Sequence, residues 1–285
     1  MNKKFLILGG DDRSLYLGEY LEKRSLNVCY YAFRDTDCFK TLKEAVFDVD
    51  CIILPLPFTR DRVTLNAPLF DEKIQLADIC ALIDSSKAVF GGQLPKSFCE
   101  ELDLKGVYWC DYFSLEELAV FNAVPTAEGV IGILIDKLPI TVRSMKCAVT
   151  GYGKIGKAVA VSLKALGADV TVIARKPRDA AEILSQSMHT CTFKDLKTEK
   201  NDFDVLINTV PAKVIGKEEM NNLKSDCLLL EVASPPFGID FGAAKEHALT
   251  VIKASSLPGK VAPKTAGEII GKTILPIFEK KGLIP

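Results

Sequence analysis

The sequence predicts an α/β protein made of two Rossmann-like domains with parallel sheets, joined by a bridging helix and followed by a returning C-terminal helix. Strand-like and helix-like segments alternate along nearly the whole chain, which is the pattern of parallel sheets wrapped by helices. A G-x-G-x-x-G motif lies between a strand-like and a helix-like segment in the second half. The length of 285 residues suits two domains of ordinary size.

Alternation in the first half predicts an N-terminal domain over residues 1–120. Short apolar runs predict strands at 5–8, 28–33, 51–54, 89–91 and 107–110. The segments between them predict helices at 15–24, 69–82 and 96–102. Because helices separate the strands, a parallel sheet is expected in this domain.

A bridging helix is predicted over residues 121–140. The letters SLEE at 114–117 have the form of a capping box and predict a helix start. Pro125 is expected to kink or end this helix, which then resumes over 126–138 and stops at Pro139.

The second domain is predicted over residues 141–257, and the returning segment over 258–285. Its strands are predicted at 146–150, 169–174, 204–208, 227–232 and 249–253, with helices at 154–166 and 178–187. A last helix is predicted over 265–281, where Thr265 and Glu268 form a second capping box after Pro263. We expect this helix to pack back on the N-terminal domain.

Charge balance and residue counts argue against several classes of function. A net charge of −1 provides no excess of cations for a nucleic acid. Two histidines, and nine scattered cysteines with no Cys-x-x-Cys pair, predict reduced, buried thiols and no metal site. No apolar stretch is expected to approach the ~20 residues that span a bilayer, and no signal-peptide pattern is found. We therefore expect a cytoplasmic protein with no nucleic-acid or membrane partner.

The glycine motif predicts a dinucleotide site. Gly151 permits a tight turn, Gly153 lets the backbone approach a pyrophosphate, and Gly156 lets the helix pack closely on the strand. The pyrophosphate is expected at the helix N-terminus, where free N–H groups and the helix dipole favour an anion. The predicted contacts are Gly151, Tyr152, Gly153, Lys154, Ile155 and Gly156. The alternative is a glycine-rich turn without a ligand.

The end of the next strand favours NADP over NAD. NAD-binding domains usually carry an acidic residue there for the ribose 2′-OH. This strand instead ends at Ala174 and is followed by three cations. An arginine can pair with a 2′-phosphate in bidentate geometry. The predicted contacts are Ala174, Arg175, Lys176 and Arg178, and the alternative is a solvated basic loop.

Two further strand ends are expected to hold the nicotinamide ribose, because ligands of open α/β sheets bind beyond the carboxyl ends of strands. Small polar residues and prolines follow both strands, and an ordinary turn would explain either one. The predicted contacts are Asn208, Thr209, Val210 and Pro211 after one strand, and Ala233, Ser234 and Pro235 after the other.

The substrate is expected in the cleft between the two halves, near the nicotinamide. Two similar strings, NAVPTAEG at 122–129 and LPGKVAPKTAGE at 257–268, each place threonine and glycine at a helix start, which can accept a carboxylate. Helix capping explains the threonines but not the glycines, which cost about 1 kcal/mol in a helix. The predicted substrate contacts are Arg13, Asn122, Thr126, Lys260, Lys264 and Thr265. The alternative for Arg13 is an ordinary surface cation with no ligand.

These segments together resemble the A subunit of dipicolinate synthase. The resemblance covers essentially the whole chain, and its most specific part is the string that begins at Leu257. The segments that carry it are GGDxR at 9–13, NAVPTAEG at 122–129, GYGKIG at 151–156, NTVP at 208–211 and LPGKVAPKTAG at 257–267. The loop LPFTR at 56–60 departs from the family, which leads us to expect more glycine and serine there.

The resemblance implies NADP-dependent oxidation of a dihydrodipicolinate-type intermediate to dipicolinate. It also implies a second protein, the B subunit of dipicolinate synthase, and the mother-cell cytoplasm of a sporulating bacterium; a homo-oligomer is expected. Two substrate carboxylates call for two anion sites, and Arg13 and either Lys260 or the helix start at Thr265 are the first candidates. The candidate catalytic groups are Lys260, Glu128 and Asp84, with Lys264 as a further proton acceptor.

Two alternatives stay open. One is another NADP-linked two-domain dehydrogenase of hydroxy acids or amino acids, although such enzymes typically use a histidine as proton carrier and none can be placed here. The other is a non-catalytic NADP-binding scaffold whose partner protein carries the chemistry.

Overall fold

The structure is a computed structural model that describes residues 3–284. The chain forms two compact units. The first combines the residues up to Asn122 with those from Ala262 onward, and the second comprises Ala123–Val261.

Strands of the described residues form two sheets in which all neighbours run parallel. The first sheet contains β1 (Lys4–Leu8), β2 (Asn27–Tyr31), β3 (Cys51–Ile53), β4 (Ala88–Gly91) and β5 (Tyr108–Asp111). The second contains β6 (Lys146–Thr150), β7 (Asp169–Ile173), β8 (His189–Cys191), β9 (Val205–Asn208), β10 (Leu228–Glu231) and β11 (Val251–Lys253).

Helices connect these strands in chain order. In the first half they are α1 (Asp12–Glu22), α2 (Leu42–Phe47), α3 (Leu76–Leu82), α4 (Lys96–Leu104), a 3-10 turn (Tyr112–Ser114) and α5 (Glu116–Lys137). In the second half they are α6 (Lys154–Ala165), α7 (Pro177–Ser185), α8 (Phe193–Thr198), α9 (Lys217–Met220), α10 (Phe241–Glu246), α11 (Leu257–Val261) and α12 (Pro263–Lys280).

Strand order identifies the architecture of each unit. The second sheet has the order β8-β7-β6-β9-β10-β11, which is the doubly wound order of Rossmann domains, with its switch point between β6 and β9. The first sheet has the order β2-β1-β3-β4-β5, with its switch point between β1 and β3. The predicted fold class of two Rossmann-like domains with parallel sheets is confirmed.

Both faces of the first sheet are buried, as its apolar strands require. Phe5 and Ile7 pack on one face with residues of α1 and α12, whereas Leu6 and Leu8 pack on the other face. Successive strand residues point to opposite faces, so one short apolar run supplies two cores.

Helix α5 runs without interruption through Pro125, so this proline does not end the helix, and of the two predicted outcomes only a kink stays a prediction. Proline removes one backbone hydrogen bond, but the helix is held by burial on both sides of it. Leu118 is buried in the core of the first unit, and Val130 and Leu134 are buried in the core of the second. The helix start predicted from Ser114 is also displaced, because α5 begins at Glu116 and the Ser114 hydroxyl donates to the carbonyl oxygen of Asp111 at 2.7 Å.

Helix α5 also corrects the expectation that no apolar stretch is long enough to span a bilayer. By length and composition it is the one helix among residues 3–284 that could do so. A helix buried in a protein core meets the same criterion, and 44% of the apolar window of α5 is buried. The buried positions Leu118, Val130 and Leu134 give α5 this core role.

Helix α12 begins two residues before the predicted start. Pro263 is its first residue, and Ala262 caps it without a side-chain hydrogen bond, so the capping box predicted at Thr265 is wrong. Proline is favoured at a first helical position because its fixed φ suits the helix and no N–H is needed there.

Close packing on α1 explains the glycine at the start of α12. A Cβ at Gly267 would lie 2.4 Å from the carbonyl oxygen of Arg13 and 2.9 Å from the backbone nitrogen of Leu17. Gly271, one turn later, lies against the ring of Tyr20 in the same way. The interpretation of the first-turn glycine as part of an anion site is therefore not needed.

Replacing Gly267 with alanine is expected to destabilise the protein by about 1–3 kcal/mol, because the contacted atoms are backbone and α12 must move away from α1. The measurement is the free energy of unfolding in urea. Gly132→Ala is the matched control, since a Cβ there meets nothing within 4 Å and alanine favours the helix. Equal stability of the Gly267→Ala variant and the unchanged protein would refute the packing explanation.

Candidate functional site

The loop that follows β6 lies at the switch point of the second sheet. Gly151 has a φ of +83°, a conformation that other residues rarely adopt. A Cβ there would also lie 2.7 Å from Cγ2 of Val210. The first glycine of the motif is therefore required by both backbone conformation and packing.

The other two glycines of the motif have contrasting surroundings. A Cβ at Gly156 would lie 2.3 Å from the carbonyl oxygen of Gly151, so only glycine allows α6 to approach the loop. Gly153 is exposed, and a Cβ there would meet nothing within 4 Å. Packing within the protein therefore does not require glycine at position 153. A ligand that approaches the backbone closely would require it.

The start of α6 fits an anion such as a pyrophosphate. Gly153 is the N-cap residue, and it makes no side-chain capping bond to the first N–H groups of this 12-residue helix. Such N–H groups and the helix dipole attract negative charge. The motif therefore has the cradle that a dinucleotide needs.

Three motif residues between the glycines differ in how they could contribute. The side chain of Tyr152 is buried in the core, where its hydroxyl accepts a hydrogen bond from Nε2 of Gln186 at 3.2 Å. A cofactor contact at Tyr152 therefore stays a prediction for its backbone alone. Ile155 also packs against this core, and Lys154 is exposed at the first position of α6.

The basic loop after β7 lies beside the glycine loop. Strand β7 pairs with β6 in register, and the Gly151 N–H donates to the carbonyl oxygen of Ile173 at 2.9 Å. Ala174 is buried, while Arg175, Lys176 and Arg178 are exposed. In the described part of the chain these three cations form no ion pair. Their charge is therefore available to an anionic group at this strand end.

Asn208, predicted as a cofactor contact, is buried under the loop that it begins. It is 0% exposed, so its side chain cannot touch a ligand, and the prediction of a direct contact is wrong. Its Oδ1 accepts hydrogen bonds from the Thr150 hydroxyl at 2.5 Å and from the Val210 N–H at 3.2 Å. The side-chain amide of Asn208 therefore stabilises the loop after β9 through hydrogen bonds and is covered by that loop.

The remaining predicted residues at these strand ends lie in the loops that follow β9 and β10. Thr209 and Val210 are half-buried and Pro211 is exposed after β9. After β10, Ala233 is buried, whereas Ser234 and Pro235 are exposed. These positions remain predictions as contacts of the nicotinamide ribose.

Glu231, the last residue of β10, was not predicted from the sequence. It is 1% exposed, and four N–H groups donate to its two carboxylate oxygens. An acidic residue that closes an otherwise apolar run, LLLE, was the available signal.

Arg13, the predicted substrate cation of the first unit, lies at the switch point of the first sheet, where ligands of such sheets bind. It is 7% exposed, and its Nε and Nη2 donate to the Asp11 carboxylate at 2.9 and 2.8 Å. Nη2 also donates to the carbonyl oxygen of Leu56, which follows β3. Part of its charge is therefore neutralised within the protein.

Other predicted substrate and catalytic residues fall in both units and remain predictions. Asn122, Thr126 and Glu128 lie on α5, where Thr126 is buried and Glu128 is exposed. Lys260 lies in the short helix α11, and Lys264 and Thr265 lie in the first turn of α12; all three are exposed. Gly129, the glycine of the first hinge string, is explained by packing, because its Cβ would lie 3.0 Å from Cβ of Leu257.

Asp84 is placed where it cannot serve the predicted site. It lies in the turn that precedes β4, at the amino edge of the parallel sheet, whereas sites of such sheets form at the carboxyl edge. Its carboxylate accepts hydrogen bonds from the hydroxyl and N–H of Ser86, which lower its pKa and make it a weaker base. The prediction of Asp84 as a catalytic residue is therefore corrected.

Replacing Asp84 with asparagine is expected to leave turnover within about twofold of the unchanged protein, since the amide oxygen can still accept from Ser86. The measurement is the steady-state rate at saturating substrate. A loss of two orders of magnitude in rate, with an unchanged far-UV spectrum, would restore Asp84 as a catalytic residue.

Buried thiols are structural. Burial raises the pKa of the Cys29, Cys147 and Cys227 thiols to about 12, so they stay protonated at neutral pH. A protonated thiol is a poor nucleophile, and these side chains fill the cores as small apolar groups.

Comparisons with known proteins give two family matches. The model for the N-terminal domain of the A subunit of dipicolinate synthase matches residues 4–113. The model described as S-adenosyl-L-homocysteine hydrolase, NAD binding domain, matches residues 132–270. The two matches fall on the first and second sheets, respectively.

Whole-chain relatives point the same way. The chain is 28% identical over 280 residues to the A subunit of dipicolinate synthase of Bacillus subtilis (strain 168), covering 95% of this chain and 94% of that protein. The crystal structure of the corresponding A subunit from Bacillus halodurans has a TM-score of 0.89 at 28% identity and covers 97% of this chain and 98% of its own. The transhydrogenase structure from Sinorhizobium meliloti, at 14% identity, has a TM-score of 0.70, covers 97% of this chain and 94% of its own, and shows the fold alone.

These similarities confirm the resemblance to the A subunit of dipicolinate synthase that the sequence motifs predicted. They also support an oxidoreductase-family protein, and the match over residues 132–270 supports a nicotinamide dinucleotide as the cofactor of the second unit.

Proposed function

We propose that this chain, which is similar to the A subunit of dipicolinate synthase along its whole length, oxidises a dihydrodipicolinate-type intermediate to dipicolinate with NADP. The observation that carries the proposal is the glycine cradle at the switch point, with three exposed cations at the neighbouring strand end. We further propose that it acts with a second protein, the B subunit of dipicolinate synthase, and as a homo-oligomer in the mother-cell cytoplasm of a sporulating bacterium.

The reaction removes one hydride and one proton from the ring of the substrate. The nicotinamide of NADP, when bound, accepts the hydride, and the ring gains aromaticity. Because that gain makes the oxidation favourable, the protein needs mainly to hold the ring in position. This requirement suits a chain that has no histidine in any segment predicted to contact the substrate.

The second unit supplies the groups for the cofactor. Backbone N–H groups at Gly153 and the start of α6 would hold the diphosphate. Arg175, with Lys176 and Arg178, would hold the 2′-phosphate, since a guanidinium pairs with phosphate in bidentate geometry. Loops 209–211 and 233–235 would border the nicotinamide ribose.

For the substrate, we propose Arg13 and Lys260, or the helix start near Thr265, as partners of the two carboxylates. Arg13 would offer only the part of its guanidinium that Asp11 and Leu56 leave available. Asn122 and Thr126 are further contacts, and Glu128 or Lys264 would accept the proton. Asp84 is not among them.

The direct test is incubation of the purified chain, alone and with the partner protein, with freshly made dihydrodipicolinate and either NADP or NAD. Absorbance of the aromatic product and of the reduced cofactor is followed in the same sample. The expected result is that both rise together and faster with NADP. The proposal fails if no cofactor is reduced under any of these conditions. It also fails if the chain reduces cofactor only when a 2-hydroxy acid replaces dihydrodipicolinate.

A further inference from the structure

Glu231 is a buried carboxylate that no step of the proposed reaction uses. Its Oε1 accepts from Nδ2 of Asn208 at 2.6 Å and from the Ala233 N–H at 3.0 Å. Its Oε2 accepts from the N–H groups of Gly238 and Ile239, both at 2.8 Å. All four of these partners are donors, and each of the two carboxylate oxygens accepts from two of them.

The three backbone donors close one loop around the carboxylate. Ala233 follows Glu231 by two residues, and Gly238 and Ile239 follow it by seven and eight. The segment between them, 234–237, therefore has both of its ends bonded to a single side chain.

Asn208 extends the same network to the two neighbouring loops. Because its Nδ2 donates to Glu231 and to the carbonyl oxygen of Val210, its Oδ1 must face the Thr150 hydroxyl. Thr150 is the last residue before the glycine loop, and its carbonyl oxygen accepts from the Thr209 hydroxyl at 2.7 Å. The acceptor oxygen of Glu231 thus sets the orientation of the amide that joins three strand ends.

Packing around the amide is equally tight. A Cβ at Gly238 would lie 2.3 Å from Nδ2 of Asn208 and 2.6 Å from the carbonyl oxygen of Val210. Thr150 and Asn208 are both 0% exposed. The network is shielded from solvent, and hydrogen bonds in such surroundings are strong and costly to break.

We propose that Glu231 is a positioning residue that fixes the loops bordering the nicotinamide half of the cofactor. In a Rossmann sheet the strands before the switch point serve the adenosine half, and those after it, here β9 and β10, serve the other half. Glu231 touches no ligand itself and acts through Asn208 and the loop after β10. The inference rests on the proposed function, because it assumes that a nicotinamide dinucleotide binds the second unit.

Glu231→Gln is the informative substitution because it keeps the shape and removes the charge. The side-chain amide of glutamine has one oxygen and one NH₂ group. In either orientation its NH₂ group faces two N–H donors that bond a carboxylate oxygen in the unchanged protein. The loop must open or the Asn208 amide must turn over, and the loops after β9 and β10 then shift. The adenosine half, which lies against the glycine loop and the basic loop, keeps its contacts.

The experiment compares binding of two ligands to the full-length variant by calorimetry. One is NADPH, and the other is 2′,5′-ADP, which carries the adenosine and the 2′-phosphate but no nicotinamide. The expected result is that the Kd for NADPH rises about tenfold or more, whereas the Kd for 2′,5′-ADP stays within about twofold. Faster hydrogen exchange at the Gly238 and Ile239 amides is expected without any ligand.

Glu219→Gln is the matched control. Glu219 is a second buried glutamate of the same unit, 5% exposed, and its carboxylate accepts from the Gly216 N–H at 2.8 Å at the start of α9. This control is expected to leave both Kd values unchanged.

The outcomes separate the inference from the proposed function. If the unchanged protein binds neither NADPH nor NADH, the proposed function fails. If it binds NADPH and Glu231→Gln binds it equally well, the positioning role is overturned. An equal loss for both ligands overturns it too, because a merely structural glutamate would weaken the whole site.

Discussion

Replacing Gly156 with alanine is expected to weaken the binding of NADP and NAD alike by roughly a hundredfold or more. The added methyl carbon would lie 2.3 Å from the Gly151 carbonyl oxygen and 3.0 Å from the Thr209 hydroxyl, and the first contact is with backbone that cannot rotate away. Helix α6 must therefore move off the loop, which breaks the cradle of N–H groups. Loss of two charge-assisted hydrogen bonds corresponds to roughly hundredfold weaker binding.

The measurement for Gly156→Ala is a titration of the variant with each cofactor, together with its free energy of unfolding. Overpacking is expected to lower that free energy by about 1–3 kcal/mol. Gly153→Ala separates the two effects, because a Cβ there meets nothing within 4 Å in the protein. This variant should fold with unchanged stability and still bind cofactor poorly. Normal binding by Gly153→Ala would show that no diphosphate lies against this turn.

Replacing Arg175 with glutamate is expected to reverse cofactor preference. Arg175 is exposed and follows the buried Ala174 at the end of β7, next to the glycine loop. A carboxylate there repels a 2′-phosphate but can accept a hydrogen bond from a ribose 2′-OH. The Kd for NADP is therefore expected to rise roughly hundredfold, while the Kd for NAD stays the same or falls.

The measurement for Arg175→Glu is the ratio of the two Kd values, and the control is Arg143→Glu. Arg143 is an exposed arginine of the same unit that precedes β6, at the opposite edge of the sheet. The control makes the same change in net charge, so it corrects for long-range electrostatics. If both variants show the NADP-to-NAD ratio of the unchanged protein, the 2′-phosphate does not bind at Arg175.

Much of the fold was predictable because apolar periodicity and glycine positions reflect the local requirements of strands, helices and turns. The alternation of apolar runs and helical segments predicted two parallel sheets, and the strand ends at Leu8 and Thr150 lie where the runs end. Gly151 and Gly156 were predictable as well, since a turn with positive φ and a close helix approach both exclude a side chain. The helix starts expected from Ser114 and Thr265 were wrong, because two-residue patterns of this kind are weak against the tertiary contacts that set where a helix begins.

By itself, then, the sequence determined the two α/β sheets, the glycine cradle, the cations after β7 and the resemblance to the A subunit of dipicolinate synthase. Only the tertiary structure decided that Asn208 is buried and that Asp11 neutralises part of Arg13. It alone revealed Glu231, whose role depends on Asn208, 23 residues away in the chain. Periodicity reports which face of an element is buried, but a polar side chain acquires its role from partners that are distant in sequence.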